Sequence, residues 1–172
     1  MHLETPFHVR PADDLAAGSL FRSRYGGKGA LGILLRRQKD GSAICALLEA
    51  SAEEGRLPCY MRVEPGGETC MDYGTGWDME LIEGPESFPG NSDFWNIPGA
   101  IHASSDGLFM HLARPPGETS EGAGDVDLTT GEFAPSLRHK LSVPFMRWRI
   151  WARPEHRTRP GATPLLSFPK AK

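Results

Sequence analysis

Ala30-Leu31-Gly32-Ile33-Leu34-Leu35-Arg36-Arg37, then Gln38-Lys39-Asp40-Gly41, then Ser42-Ala43-Ile44-Cys45-Ala46-Leu47-Leu48-Glu49 is the stretch whose reading decides the fold. Both arms are apolar and extended in character, and the Asp-Gly pair between them accepts the positive dihedrals of a tight turn. A two-residue turn sets Leu35 opposite Ala46 and Ile33 opposite Leu48 on one apolar face. Leu34 and Leu47 then pair on the reverse face.

Working outward, Leu57 to Val63 reads as a third strand, with Pro58 holding its start to an edge or an irregular position. It runs into the turn Glu64-Pro65-Gly66-Gly67. From Gly76 to Gly84, Trp77, Met79 and Leu81 alternate with Asp78 and Glu80, which is the period of a strand with one apolar side. A second Asp-Gly hairpin runs from Gly99 to Arg114. With Asp106 and Gly107 as its turn, His102 stands opposite His111, Ser104 opposite Phe109 and Ile101 opposite Leu112. The two histidines then share one face, and Ile101, Ala103, Met110 and Leu112 share the other.

Residues 115–124 read as a surface loop, and Asp125 to Glu132 as a loop or short strand without the spacing of an EF-hand. Leu141 to Trp151 reads as a strand whose Met146, Trp148 and Ile150 face the core while Arg147 and Arg149 face out. At the N-terminal end a short helix is expected around Pro11 to Ala17, stopped by Gly18. The following Arg24-Tyr25-Gly26-Gly27-Lys28-Gly29 lacks the spacing of a phosphate-binding loop.

The 172 residues suit one compact domain, and 20 glycines with 15 prolines punctuate the chain too often for long helices. An all-β fold of short strands follows. No basic leader with an apolar run opens the sequence, and no stretch is long enough to cross a bilayer, so a cytoplasmic location without membrane contact is expected. Cys45, Cys59 and Cys70 are odd in number and form no close metal-binding pair, which favours a reduced compartment and buried thiols. Charge is uneven: +3 over residues 1–48, −14 over 49–132 and +8 over 133–172. The basic tail is expected to meet the acidic middle or a subunit contact, because its scattered arginines form no nucleic-acid recognition element.

The anchors Arg62-Val63-Glu64-Pro65-Gly66-Gly67, Gly76-Trp77, Leu81-Ile82-Glu83-Gly84, Pro98-Gly99-Ala100-Ile101-His102 and Ser105-Asp106-Gly107, in that order and spacing, resemble the cupin superfamily. Within it they are most similar to the ChrR-type cupins and the dihydroxyacetophenone dioxygenases, over roughly Ala30 to Arg114. The resemblance implies a single cupin-like double-stranded β-helix, a jelly-roll barrel. Its irregular N-terminal extension would span residues 1–29, the barrel with its C-terminal strand 30–152, and a basic Pro-rich tail 153–172. The family's first motif would place two metal-binding histidines near Met71 and Tyr73 and a glutamate near Trp77, and its second a histidine at His102. Only His102 matches, and methionine, tyrosine and tryptophan are poor substitutes as ligands to a divalent metal.

The reading that follows is a degenerate cupin that binds a small molecule in its barrel, as a sensor or a cryptic enzyme. Met71, Tyr73, Trp77, His102, Phe109 and His111 would line that pocket, and no cofactor would be needed. One alternative is a dioxygenase-like enzyme holding divalent iron, manganese or zinc through His102 and His111. Another is a structural or regulatory module that forms a homodimer through an exposed sheet or the C-terminal strand. Neither nucleic acid nor membrane is expected as a partner.

Overall fold

The computed structural model describes residues 6–25, 27–50, 57–63, 66–114, 124–134 and 141–169. Among the described residues thirteen strands follow one another: β1 His8–Pro11, β2 Leu20–Tyr25, β3 Lys28–Arg37, β4 Ala43–Ala50, β5 Cys59–Val63, β6 Thr69–Gly74 and β7 Asp78–Ile82. They continue with β8 Ile101–Ser104, β9 Gly107–Leu112, β10 Gly124–Asp127, β11 Ser142–Phe145, β12 Arg147–Trp151 and β13 Leu166–Phe168. Short 3-10 turns occupy Ala12–Asp14 and Pro154–Arg157.

These strands form three open sheets with the orders β1-β6-β2-β3-β4-β5, β10-β9-β8-β11 and β13-β12-β7. Every ladder is antiparallel. The all-β character stands, but the cupin-like jelly-roll barrel does not: among the described residues no sheet closes on itself. Local pattern cannot reveal this, because hairpin chemistry specifies which neighbours pair but not how a strand far along the chain joins them. β6 illustrates the point, since it is inserted between β1 and β2, both drawn from the segment expected to be irregular. The tail likewise contributes β13, which pairs with β12.

Inward faces of all three sheets share one core. Leu20, Leu31, Ile33, Leu35, Ile44, Ala46 and Leu48 enter it from the six-stranded sheet. Ile101, Met110, Leu112 and Val126 come from the four-stranded sheet, and Trp148, Ile150 and Leu166 from the three-stranded one. Full burial of large apolar side chains such as these stabilises by about 1.5–3 kcal/mol each.

The first hairpin forms as expected, with a shifted register. Gln38 N donates to Ser42 O, so the loop is the three residues Lys39-Asp40-Gly41, with Gly41 at φ +87°. This is a turn closed by a left-handed glycine. Ile33 therefore faces Ala46 and Leu34 faces Cys45, and a bulge at Leu35 absorbs the odd residue. The shift in the middle of the hairpin is even, so each side chain keeps the face assigned to it.

The second hairpin turns at Ser105-Asp106, which pairs Ser104 with Gly107 and His102 with Phe109. Again the displacement is two residues, and the two histidines stay on one face. Leu141 to Trp151 forms two strands, β11 and β12, which belong to different sheets and part around Met146. Trp148 and Ile150 are buried while Arg147 and Arg149 are exposed, as the alternation predicts.

Candidate functional site

The six residues expected to line a barrel pocket are distributed over the molecule. Met71 is 38% exposed on β6, whereas Tyr73, two residues on, lies in the shared core with Phe7 edge-on at 5.9 Å. Trp77 packs against the same core and donates its indole N–H to Gly18 O at 2.9 Å. His102, Phe109 and His111 sit together on the outer face of the four-stranded sheet, opposite Ile101, Met110 and Leu112. Among the described residues there is no barrel-shaped cavity for these side chains to line, which removes the small-molecule cupin reading and its dioxygenase-like alternative.

The histidine face is a buried polar network. His111 Nδ1 lies 3.2 Å from Asp125 Oδ1, the carboxylate directly across β9 and β10. His102 is fully buried, with Nδ1 3.5 Å from Ser142 Oγ. The connection between β7 and β8 contacts this face: Gly90 N donates to Ser142 O at 2.9 Å, and the Phe94 backbone approaches the His102 ring. Burial pushes the His102 pKa down, Asp125 and the Phe94 carbonyl oppose that, and His111 adds to it. His102 Nε2 has no hydrogen-bond partner among the described residues. The neutral imidazole is therefore the form this environment favours.

These groups do not make a metal centre. Among the described residues no three His, Cys, Asp or Glu side chains are placed to hold an ion together. The iron, manganese or zinc site at His102 and His111 is not supported by the donor set. Asp125 and Ser142 were not anticipated as neighbours of the histidines, because both come from strands whose place beside β8 and β9 is a long-range property.

A different feature distinguishes the other side of the molecule. Strands β3 and β4 do not alternate polar with apolar; the side chains they turn away from the core are Leu34, Ala43, Cys45 and Leu47. Unbroken apolar runs of this kind belong to strands covered on both faces. Phe21 from β2, Cys70 from β6 and Cys59 and Met61 from β5 extend the same surface. Ala12 and Leu15, on either side of the first 3-10 turn, lie over part of it. Between that turn and the sheet is a cleft of about 500 Å³ with a floor of Phe21, Leu34, Cys45, Leu47 and Met61.

Two guanidiniums mark the cleft, Arg24 near the start of β3 and Arg37 at its end, together with the acids Asp13 and Glu68. Arg37 is held in place, its Nη2 donating to Ala12 O at 2.7 Å and to Leu15 O at 3.5 Å. Asp13 is also engaged, accepting from Gly67 N at 3.1 Å. Burial pushes the Cys45 thiol up to about 12, against a smaller opposing pull from Arg37. Cys45 is thus a neutral, apolar part of the floor and no nucleophile. The signal for this cleft lay in the opening hairpin, where two adjacent strands lack the polar face that solvent requires.

The basic tail does meet the acidic middle at individual contacts. Arg149 lies 3.5 Å from Glu80 and Arg157 3.2 Å from Asp78, across the ladder and corner joining β12 to β7. In comparisons with known proteins, no family model, no curated protein and no solved structure matches this chain, and the resemblance to cupins finds no support.

Proposed function

We propose that this chain is a binding protein whose site is the cleft on the outward face of the six-stranded sheet, taking an elongated and largely apolar small molecule. The observation that carries the reading is that this sheet is apolar on both sides while only one side belongs to the shared core. A soluble sheet with one packed face ordinarily turns a polar face to water. Here the second face supplies an apolar floor, and the volume of about 500 Å³ falls within the range of small-molecule sites. The site is separate from the histidine face, whose residues contribute nothing to the cleft.

The test is titration of the protein with the neutral fluorescent probe N-phenylnaphthylamine, beside a Met61→Trp variant. Met61 is a half-buried floor residue, so a larger side chain there fills the cleft without entering the shared core. Saturable binding with one site per chain, lost in the variant while its unfolding midpoint is retained, supports the reading. Equal binding by both proteins overturns it. So does a concentration-dependent dimer whose formation competes with the probe, because the apolar face would then belong to a second copy of the chain.

A further inference from the structure

We infer that the occupant of this cleft is an aliphatic monocarboxylate, its hydrocarbon body on the apolar floor and its head group on Arg37. The inference rests on the cleft being the binding site and adds the chemical class of the ligand.

Arg37 stands at the end of β3, beside the turn that roofs the cleft. One of its terminal nitrogens is occupied by the carbonyls of Ala12 and Leu15. Its Nε and Nη1 have no partner among the described residues. The guanidinium is therefore oriented in advance, and because both edges that give two parallel bonds include the occupied Nη2, what it offers a carboxylate is its fixed charge and single bonds from Nη1 or Nε. Its charge is felt at the floor, where it opposes the rise in the Cys45 pKa.

Arg24, at the opposite end, is exposed like Arg37 but has no comparable anchor among the described residues, so fixing it on a ligand costs more side-chain entropy. The eight steps along the chain from Gly29, the partner of Arg24 across the ladder, to Arg37 span about 26 Å at the rise of a strand. An extended chain fits that geometry better than a compact ring system.

The same rim limits the charge of the head group. Asp13 and Glu68 line the cleft alongside Arg37. One negative charge is matched by the guanidinium, while a second would face two carboxylates with no further fixed cation. A phosphate monoester is therefore a poorer fit than a carboxylate.

Calorimetric titration at neutral pH with decanoate, decanol and decyl phosphate, on the wild type and on Arg37→Gln, Arg37→Lys and Arg24→Gln, tests the inference. The wild type is expected to bind decanoate at least tenfold more tightly than decanol and more tightly than decyl phosphate. Arg37→Gln should erase the preference over decanol while decanol still binds, Arg37→Lys should keep part of it, and Arg24→Gln should leave it intact. Unfolding midpoints of the variants show that the comparison is made on folded protein. If none of the three ligands binds, the cleft itself is not a site and both readings fall. If decanol and decanoate bind alike, or the preference survives Arg37→Gln, only the carboxylate inference falls. Tighter binding of decyl phosphate overturns the limit to a single charge.

Discussion

The indole N–H of Trp148 donates to the backbone oxygen of Gly99 at 2.8 Å, and the same indole stacks on Phe168 with ring centres 4.9 Å apart. This contact ties the three-stranded sheet to the entry of the second hairpin, because Trp148 and Phe168 are paired across β12 and β13. Gly99 must remain a glycine for two reasons. Its φ is +87°, and a Cβ there would come within 2.3 Å of Phe168 Cζ. Gly99→Ala is expected to destabilise the fold by about 3 kcal/mol, combining left-handed strain with overpacking. Urea denaturation measures this, and an unchanged midpoint would show that the close approach is not maintained in solution.

Stability should also fall on acidification because of His102. Its folded pKa is lowered from 6.5, first by burial and then by His111, with Asp125 and the Phe94 carbonyl opposing. The unfolded chain therefore binds a proton more readily than the folded one. The contribution is fully present above about 6.5 and is lost as the pH falls through the depressed folded value. Comparing urea midpoints of wild type and His102→Gln across that window separates this effect from the background of carboxylates. A steeper loss in the wild type is expected, and parallel curves would contradict the burial of a neutral ring.

Much of the local geometry was legible because it depends on near neighbours. Asp40-Gly41 and Asp106-Gly107 marked both hairpins, the alternation around Trp77 found β7, and parity alone placed His102 and His111 on one face. The errors were of register and of assembly. A three-residue turn replaced a two-residue one, and β6 joined strands far earlier in the chain. The cleft was half visible: Leu34 and Leu47 were legible as a second apolar face, but Phe21, Met61 and the roof formed by Ala12 and Leu15 depend on long-range pairing. No spacing rule could have brought Asp125 and Ser142 to the histidines, since each reaches them from a separate strand.

The cysteines should be silent in the native protein. Cys45, Cys59 and Cys70 are all buried and all thiols, none of them in a disulfide. Burial also raises the Cys70 thiol pKa, with Asp72 contributing in the same direction and Arg10 opposing. Titration with a chromogenic disulfide at mildly alkaline pH should give negligible fast reaction in buffer and all 3 thiols in denaturant. Rapid modification of one thiol in the folded protein would contradict the burial that keeps it neutral.

Asp72 is a buried carboxylate on β6, next to the edge strand β1 of the six-stranded sheet. It is 4% exposed, lies 3.1 Å from Arg10 Nε through one oxygen and accepts from Gly74 N at 2.7 Å through the other. The ion pair adds to the four-residue ladder and the Cys70 Sγ–Arg10 O hydrogen bond that already join β6 to the edge strand β1, and the hydrogen bond closes the chain reversal at Gly74, whose φ is +75°. Asp72→Ala removes both acceptors and leaves the Gly74 amide without that side-chain partner, a loss of about 2–3 kcal/mol. Asp72→Asn keeps an acceptor for Gly74 N but no charge for Arg10, so it should lose about half as much. The half-exposed guanidinium retains contact with water, which limits the cost of its lost partner. Urea midpoints of the two variants, with amide exchange at Val9 and Arg10 as a local readout, check the division. If Asp72→Asn is as damaging as Asp72→Ala, the ion pair rather than the turn holds this edge.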